Sequence, residues 1–210
     1  MTKRQKKSIL IGTLLGDSCI WKHPNAKNYN LQFTHSHKQI EYAKYKAKII
    51  NLMLFENPQV NLWKQNKMGY SKIKAWMFRT RVHPLIKSVK NLLYHNNKKT
   101  ITREVLDRLT PWGLAFWFMD DGWKEVKYTK TGTIKQRAMG LSTCSFSENE
   151  QDIIIDYFEK VWNVKFNKYF VKRADAWILK CGVIEGVKFQ AIIAKYIPEC
   201  MRYKIFEELK

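Results

Sequence analysis

The chain has 210 residues and carries 38 Lys and Arg against 18 Asp and Glu, a formal charge of +20 over a length that suits one large domain or two small ones. A hydrophobic fraction of 45% and an aromatic fraction of 14% exclude a disordered basic tail, and no apolar run reaches the ~20 residues of a membrane span. The basic excess points to a polyanion, although a solvated lysine surface or a ribosome-associated protein accounts for charge alone equally well.

From the N-terminus, basic Met1–Lys7 and apolar Ile9–Gly16 superficially imitate a signal peptide. Asp17 ends the run, and a similar segment recurs in mid-chain where no signal peptide can sit, so a helix in a soluble, intracellular protein is expected. A strand follows Asp17, then a turn around Pro24–Lys27 and a second strand, Tyr29 to Ser36. His35 and His37 share a face of that strand; with no Cys or His at zinc-ligand spacing they read as a polar strand end. A lysine-rich helix is expected from about Lys38 to Leu54, then a hairpin of Val60–Gln65 and Tyr70–Arg81 around Lys67–Gly69, then a helix over Pro84–Leu93. The stretch Asn96–Thr102 reads as a link. Thr110-Pro111 supplies an N-cap and a first-turn proline for the next helix. Trp123–Tyr128 and Ile134–Ser145 flank a turn at Gly132, and Ser147 with Glu150 forms a capping box for a helix to about Trp162. Lys165–Lys172 and Ala176–Cys181 form the last hairpin and Gly186–Tyr196 the last helix. Cys19, Cys144, Cys181 and Cys200 lack any C-x-x-C spacing and are expected to be reduced, mostly buried thiols.

The order repeats. LIGTLLGDS (Leu10–Ser18) and LAFWFMDDG (Leu114–Gly122) are both apolar helical runs ending in an acid, and Asp121 lies 104 residues after Asp17, about half the chain. The expected class is therefore α+β, with two αββαββα halves spanning residues 1–98 and 99–210. An aspartate at a helix C-terminus adds like charge to the negative end of the dipole. Either motif alone is an ordinary helix-ending turn; the repetition, in a basic protein, asks for a shared cation. Asp17 and Asp121, with the carbonyls of Gly16 and Asp120, make an all-oxygen set suited to Mg²⁺ (or Mn²⁺). Metal-bound acids beside a phosphate-binding surface point to phosphodiester hydrolysis. Lys99, 82 residues after Asp17, and Lys204, 83 after Asp121, are repeat-equivalent candidates for electrostatic assistance.

LAFWFMDDG is similar to the motif that names the LAGLIDADG homing endonucleases, and LIGTLLGDS looks like a degenerate first copy. The resemblance extends through Asn96–Ile101, Leu109–Pro111 and Tyr203-Lys204. It implies a monomer with a pseudo-twofold axis, motif helices at the interface between halves, and two antiparallel sheets forming a saddle over double-stranded DNA. It further implies that Asp17 and Asp121 bind metal beside Lys99 and Lys204. Cleavage would cross the minor groove and leave a short 3′ overhang, and the gene would reside in an intron or stand alone. Ser18 departs from the motif's final glycine. Gly12 and Thr13 match the bulky Phe116 and Trp117, so small residues of one helix are expected to accommodate large ones of the other.

Outward-pointing strand residues are the candidate readers of DNA: Lys22, Gln32, Lys64, Lys72, Lys74, Lys127, Lys135, Arg137, Lys168 and Lys172. For any one of them a phosphate contact or a solvated lysine is the blander alternative. Two other functions use the same scaffold, an intron maturase that binds RNA and a non-catalytic DNA-binding regulator. Retention of both aspartates favours the endonuclease. The residue usage suits an AT-rich genome, organellar or bacterial.

Overall fold

The computed structural model describes residues 1–57, 60–65, 74–130 and 134–206. Helix α1 (Lys3–Leu15) begins at a capping box in which Thr2 and Gln5 satisfy each other's backbone N–H groups. The basic N-terminal residues are thus the first turn of a helix whose remainder, Ser8 to Leu15, is buried. Strands β1 (Ser18–Trp21) and β2 (Asn30–Ser36) follow, and a single 3-10 turn leads into α2 (Ile40–Leu54). Strands β3 (Leu62–Gln65) and β4 (Ala75–Arg79) complete an antiparallel sheet of order β1-β2-β4-β3, and α3 (Pro84–Leu93) closes the first half.

After β5 (Tyr94–His95), β6 (Lys98–Lys99) and the short α4 (Arg103–Asp107) comes α5 (Pro111–Asp121), the second motif helix. Strands β7 (Gly122–Tyr128) and β8 (Ile134–Leu141), helix α6 (Glu148–Trp162), strands β9 (Asn167–Val171) and β10 (Ala176–Gly182) and helix α7 (Val183–Ile193) repeat the first half's order. Their sheet, β7-β8-β10-β9, has the same antiparallel topology as the first. The turn residues expected at Lys67–Gly69 and Gly132 lie outside the described residues.

Helices α1 and α5 pack against each other along the centre of one core, and the buried residues of both sheets and of the outer helices surround them. Close approach is made by small residues. A Cβ on Gly12 would overlap the carbonyl oxygen of Gly113, and one on Gly113 would overlap Ser8. Gly12 therefore accommodates the backbone of α5. This corrects the expectation that it makes room for Phe116: that ring stacks on Tyr45 of α2, and Trp117 stacks on Phe158 of α6. The Ser8 hydroxyl accepts the Thr110 N–H at 2.7 Å, tying the start of α5 to α1. The cysteines correct another expectation, since only Cys181 is buried and Cys19, Cys144 and Cys200 are exposed.

Candidate active site and DNA-facing surface

Asp17 and Asp121 stand at the C-terminal ends of α1 and α5, where unpaired carbonyls already concentrate negative potential. A lysine answers at each end. Lys99 Nζ donates to the carbonyls of Ser18 (2.8 Å) and Gly16 (3.4 Å), and Lys204 Nζ to those of Met119 (2.6 Å) and Asp120 (3.0 Å). The Gly16 and Asp120 carbonyls, expected to face a metal, are thus lysine acceptors. Lys99 is aimed by the β5–β6 hairpin, whose two turn residues, Asn96 and Asn97, have φ of 48° and 61°. Asn tolerates that left-handed region, and the pair makes a tight hairpin turn. Lys204 ends a 3-10 turn anchored by buried Met201, Ile205 and Phe206.

Burial lowers the pKa of both lysines, with the nearby acids opposing it. Burial raises both aspartates, and repulsion from Asp120 adds to it. Asp121, also repelled by Asp17, is pushed up to about 7.

A third carboxylate lies between them. The Asp120 side chain is fully enclosed and accepts four hydrogen bonds: Tyr42 Oη (2.6 Å) and Lys46 Nζ (2.9 Å) on Oδ1, Lys46 Nζ (2.7 Å) and the Asp17 N–H (3.2 Å) on Oδ2. Lys46 is itself fully buried, 4.6 Å over the Phe33 ring. His35 Nδ1 lies 3.6 Å from Asp17 Oδ2 and its Nε2 lies 3.9 Å from Asp120 Oδ1. Burial, then the charges of Lys46 and Lys204, lowers the His35 pKa to about 2, so the ring is neutral and these contacts are not ion pairs.

Asp17, His35 and Asp120 form a cluster whose potential ligand atoms all lie within 4.8 Å. Asp120 is a poor member, because the four hydrogen bonds it accepts use the lone-pair positions a carboxylate offers. The open carboxylates are Asp17, whose side chain is 45% exposed, and Asp121, which accepts the Trp117 indole N–H at 3.2 Å. Crowded oxygen donors that hold their protons above the usual carboxylate range fit a hard divalent cation such as Mg²⁺ or Mn²⁺.

The sheets present one face to the helices and one outward. In the first, Leu31, Phe33 and Phe78 point inward, and alternation with the pairing Cys19↔Gln32↔Arg79 puts Cys19, Trp21, Gln32, Thr34, Trp63, Met77 and Arg79 on the open face. In the second, Met139, Leu141, Leu179 and Cys181 point inward, leaving Trp123, Glu125, Lys127, Lys135, Tyr169 and Lys180 on the open face. Of the expected readers, Gln32, Lys127 and Lys135 lie on the open face, and Arg137 is exposed at the β7–β8 bulge. Lys74 and Lys172 are exposed at strand ends, and Lys72 lies outside the described residues.

Three expected readers are turned the other way. Lys64 pairs across from Trp76 on the helix side. Lys168 pairs across from Leu179 and bridges Glu148 (3.0 Å) and Asp152 (2.8 Å) of α6. The Lys22 amine lies 5.6 Å over Tyr29, a ring that also carries Lys90 of α3. Acids of α6 hold the Lys168 amine there, and the Tyr29 ring holds that of Lys22.

The profile of the LAGLIDADG DNA endonuclease family matches residues 7–189. Probable intron-encoded endonuclease 1 of Wickerhamomyces canadensis is 31% identical over 98% of this chain and 85% of its own length. The chain belongs to the LAGLIDADG DNA endonuclease family. A solved structure of the homing endonuclease I-WcaI bound to its DNA recognition sequence matches with a TM-score of 0.81 at 25% identity, covering 99% of this chain and 88% of that one. Cytochrome b mRNA maturase bI2 of Debaryomyces hansenii is 23% identical over 96% of this chain and 74% of its length. The LAGLIDADG fold thus has α1 and α5 as its motif helices.

The LAGLIDADG motifs do not by themselves reveal Tyr42, Lys46 and His35. A signal existed for Lys46: it lies on the buried stripe Tyr42, Ala43, Lys46, Ala47, Ile50 of α2, and a lysine in such a stripe needs an internal anion. His35 alternates with Leu31 and Phe33 on the inward face, which a polar strand end would not do.

Proposed function

We propose that the protein makes a metal-dependent double-strand break in a long, specific DNA target. The observation that carries this reading is the pair of helix-end aspartates, each backed by a lysine seated on the same helix end, beneath two open sheet faces on a chain of charge +20. Asp17 and Asp121 would hold Mg²⁺ or Mn²⁺. Bound there, a divalent cation would supply Lewis-acid charge that favours deprotonation of an attacking water and offsets charge on the phosphate.

The chain's own groups do the rest. Lys99 and Lys204 place buried positive charge beside each aspartate, where a scissile phosphodiester would build up negative charge. Lys99 is seated on the end of α1, and the acid that acts on it most strongly is Asp121 of α5. Asp120, clamped by Tyr42 and Lys46, fixes the Asp17 backbone and holds the two helix ends together. A single chain holding both centres acts as a monomer, cuts across the minor groove and leaves short 3′ overhangs. Among the described residues no helix is long and apolar enough to cross a membrane; the protein would work where its DNA is, in an organelle or a bacterial cytoplasm.

Cleavage of a pooled random-sequence duplex library with Mg²⁺, with chelator, and with Asp17→Asn and Asp121→Asn tests this. Metal-dependent cuts lost in either variant are expected, and uncut but specifically bound DNA would replace the nuclease with a regulator. A second reading, RNA binding by an intron maturase, is favoured by the similarity to the Debaryomyces hansenii maturase. Tighter binding of folded intron RNA than of duplex DNA, with splicing retained in both Asn variants, would establish it.

A further inference from the structure

The open faces carry one built cation at the same place in each half, and the two are chemically unlike. Arg79 and Lys180 occupy repeat-equivalent positions, each on the third strand across from the residue two past the motif aspartate: Cys19↔Gln32↔Arg79 in one half, Trp123↔Gly140↔Lys180 in the other. Two strand residues span roughly 7 Å along the strand and two strand spacings add roughly 10 Å across the sheet, which puts each cation about 12 Å, or three to four base-pair steps, from the helix end.

Arg79 is preorganised. Its Nε and Nη2 both donate to Gln32 Oε1, at 2.8 and 2.6 Å, and its guanidinium lies 4.0 Å over the Trp21 ring. Those bonds leave Nη1 and the second Nη2 hydrogen as an outer fork of donors for a ligand. A planar fork with fixed orientation matches guanine O6 and N7, whereas a phosphate anchor needs no such fixing.

Lys180 instead pairs with Glu125 at 2.7 Å, and both side chains are partly open, 36% and 41% exposed. Its ammonium also lies 5.8 Å over Trp123. A carboxylate on a DNA-facing surface repels phosphates and accepts only from an exocyclic amine, that of cytosine or adenine. Beside a lysine that can reach guanine O6 or N7, the pair suits a G·C base pair, with Lys180 on guanine and Glu125 on cytosine.

We infer that Arg79, held by Gln32 and Trp21, reads a guanine in one half-site, and that the Lys180–Glu125 pair reads a G·C pair at the pseudo-symmetric position of the other. The inference rests on the DNA-cleaving function proposed above and adds its specificity. The target then asks for G·C at both pseudo-symmetric positions, read by a fork of donors in one half and by a donor–acceptor pair in the other.

The test is selection of cleaved products from a random duplex library with Mg²⁺, using wild type, Arg79→Ala, Arg79→Lys and Glu125→Gln, with folding checked by thermal melts. Wild type should yield a G·C pair at one position on each side of the cut. Arg79→Ala and Arg79→Lys should each relax preference at that position alone, by roughly ten- to a hundredfold. Glu125→Gln should relax the cytosine requirement on the opposite side and leave the Arg79 position unchanged. If Arg79→Ala weakens all sequences equally, Arg79 is a phosphate anchor and the inference fails while the nuclease stands. If wild type cuts nothing, the proposed function fails and takes the inference with it.

Discussion

Lys46 and Asp120 form an ion pair shielded from water, and such pairs are held by mutual compensation rather than by large net gain. Removing only the cation strands the carboxylate. Lys46→Met should therefore destabilise the fold by about 3–5 kcal/mol, read from urea unfolding. Adding Asp120→Asn should recover most of the loss, since the amide oxygen still accepts from Tyr42. Recovery of stability without recovery of cleavage would separate the pair's structural role from its positioning of Asp17. Asp121 shows the opposite tension. With its folded pKa at about 7 against an ordinary 3.8, the folded state keeps a proton that the unfolded state releases. That contribution is present at low pH and is lost as pH rises through 7. Without metal, Asp121→Asn should melt several degrees above wild type at pH 8, with the gap closing towards pH 4. Mg²⁺ should raise the melting temperature of wild type more than that of the variant. Parallel melting curves across pH would show that the crowding at Asp121 is relieved some other way.

At the scale of elements, the α1–α5 seam is set by backbone contact. The Cβ of Gly12→Ala would meet the Gly113 carbonyl, which no rotamer change can move aside. The helices must separate, and with them the two helix ends that carry Asp17 and Asp121. A loss of at least about 2 kcal/mol is expected, with cleavage falling further than stability predicts; unchanged melting and activity would show that the seam is slack. Much of this architecture was legible because period and punctuation agree: Pro84–Leu93, the Ser147–Glu150 capping box and the paired motifs each carry local signals that tertiary packing reinforces. Elements without such signals were not. The two-residue strand β6 lies in what read as a link and its partner β5 just before it, although Asn96-Asn97 is itself a hairpin signal. The turn carrying Lys204 depends on its buried anchors rather than on periodicity. Strand facing was the weakest point, because Lys64 and Lys168 look outward by residue type and only register shows them turned towards the helices.

Across the whole molecule, a charge of +20 is useful to DNA binding only where the cations share a face, and the sheets divide them. Lys127 and Lys135 sit directly across from each other on the open face of the second sheet, an arrangement that repels in the free protein. Phosphate would relieve that repulsion, so the pair trades stability for affinity. Lys135→Thr should raise the free protein's stability by a few tenths to about 1 kcal/mol and weaken DNA binding. Replacing Lys127, Lys135 and Arg137 together by Gln should flatten the salt dependence by as much as roughly 0.9 per lost phosphate contact. Lys64→Gln with Lys168→Gln removes two charges and should leave the slope nearly unchanged, since both residues occupy helix-side positions of their strands. Fluorescence anisotropy titrations at several salt concentrations, on a target recovered by selection, would measure all three. Equal slopes for the triple and the double variant would mean that net charge, not the open face, carries the electrostatic attraction.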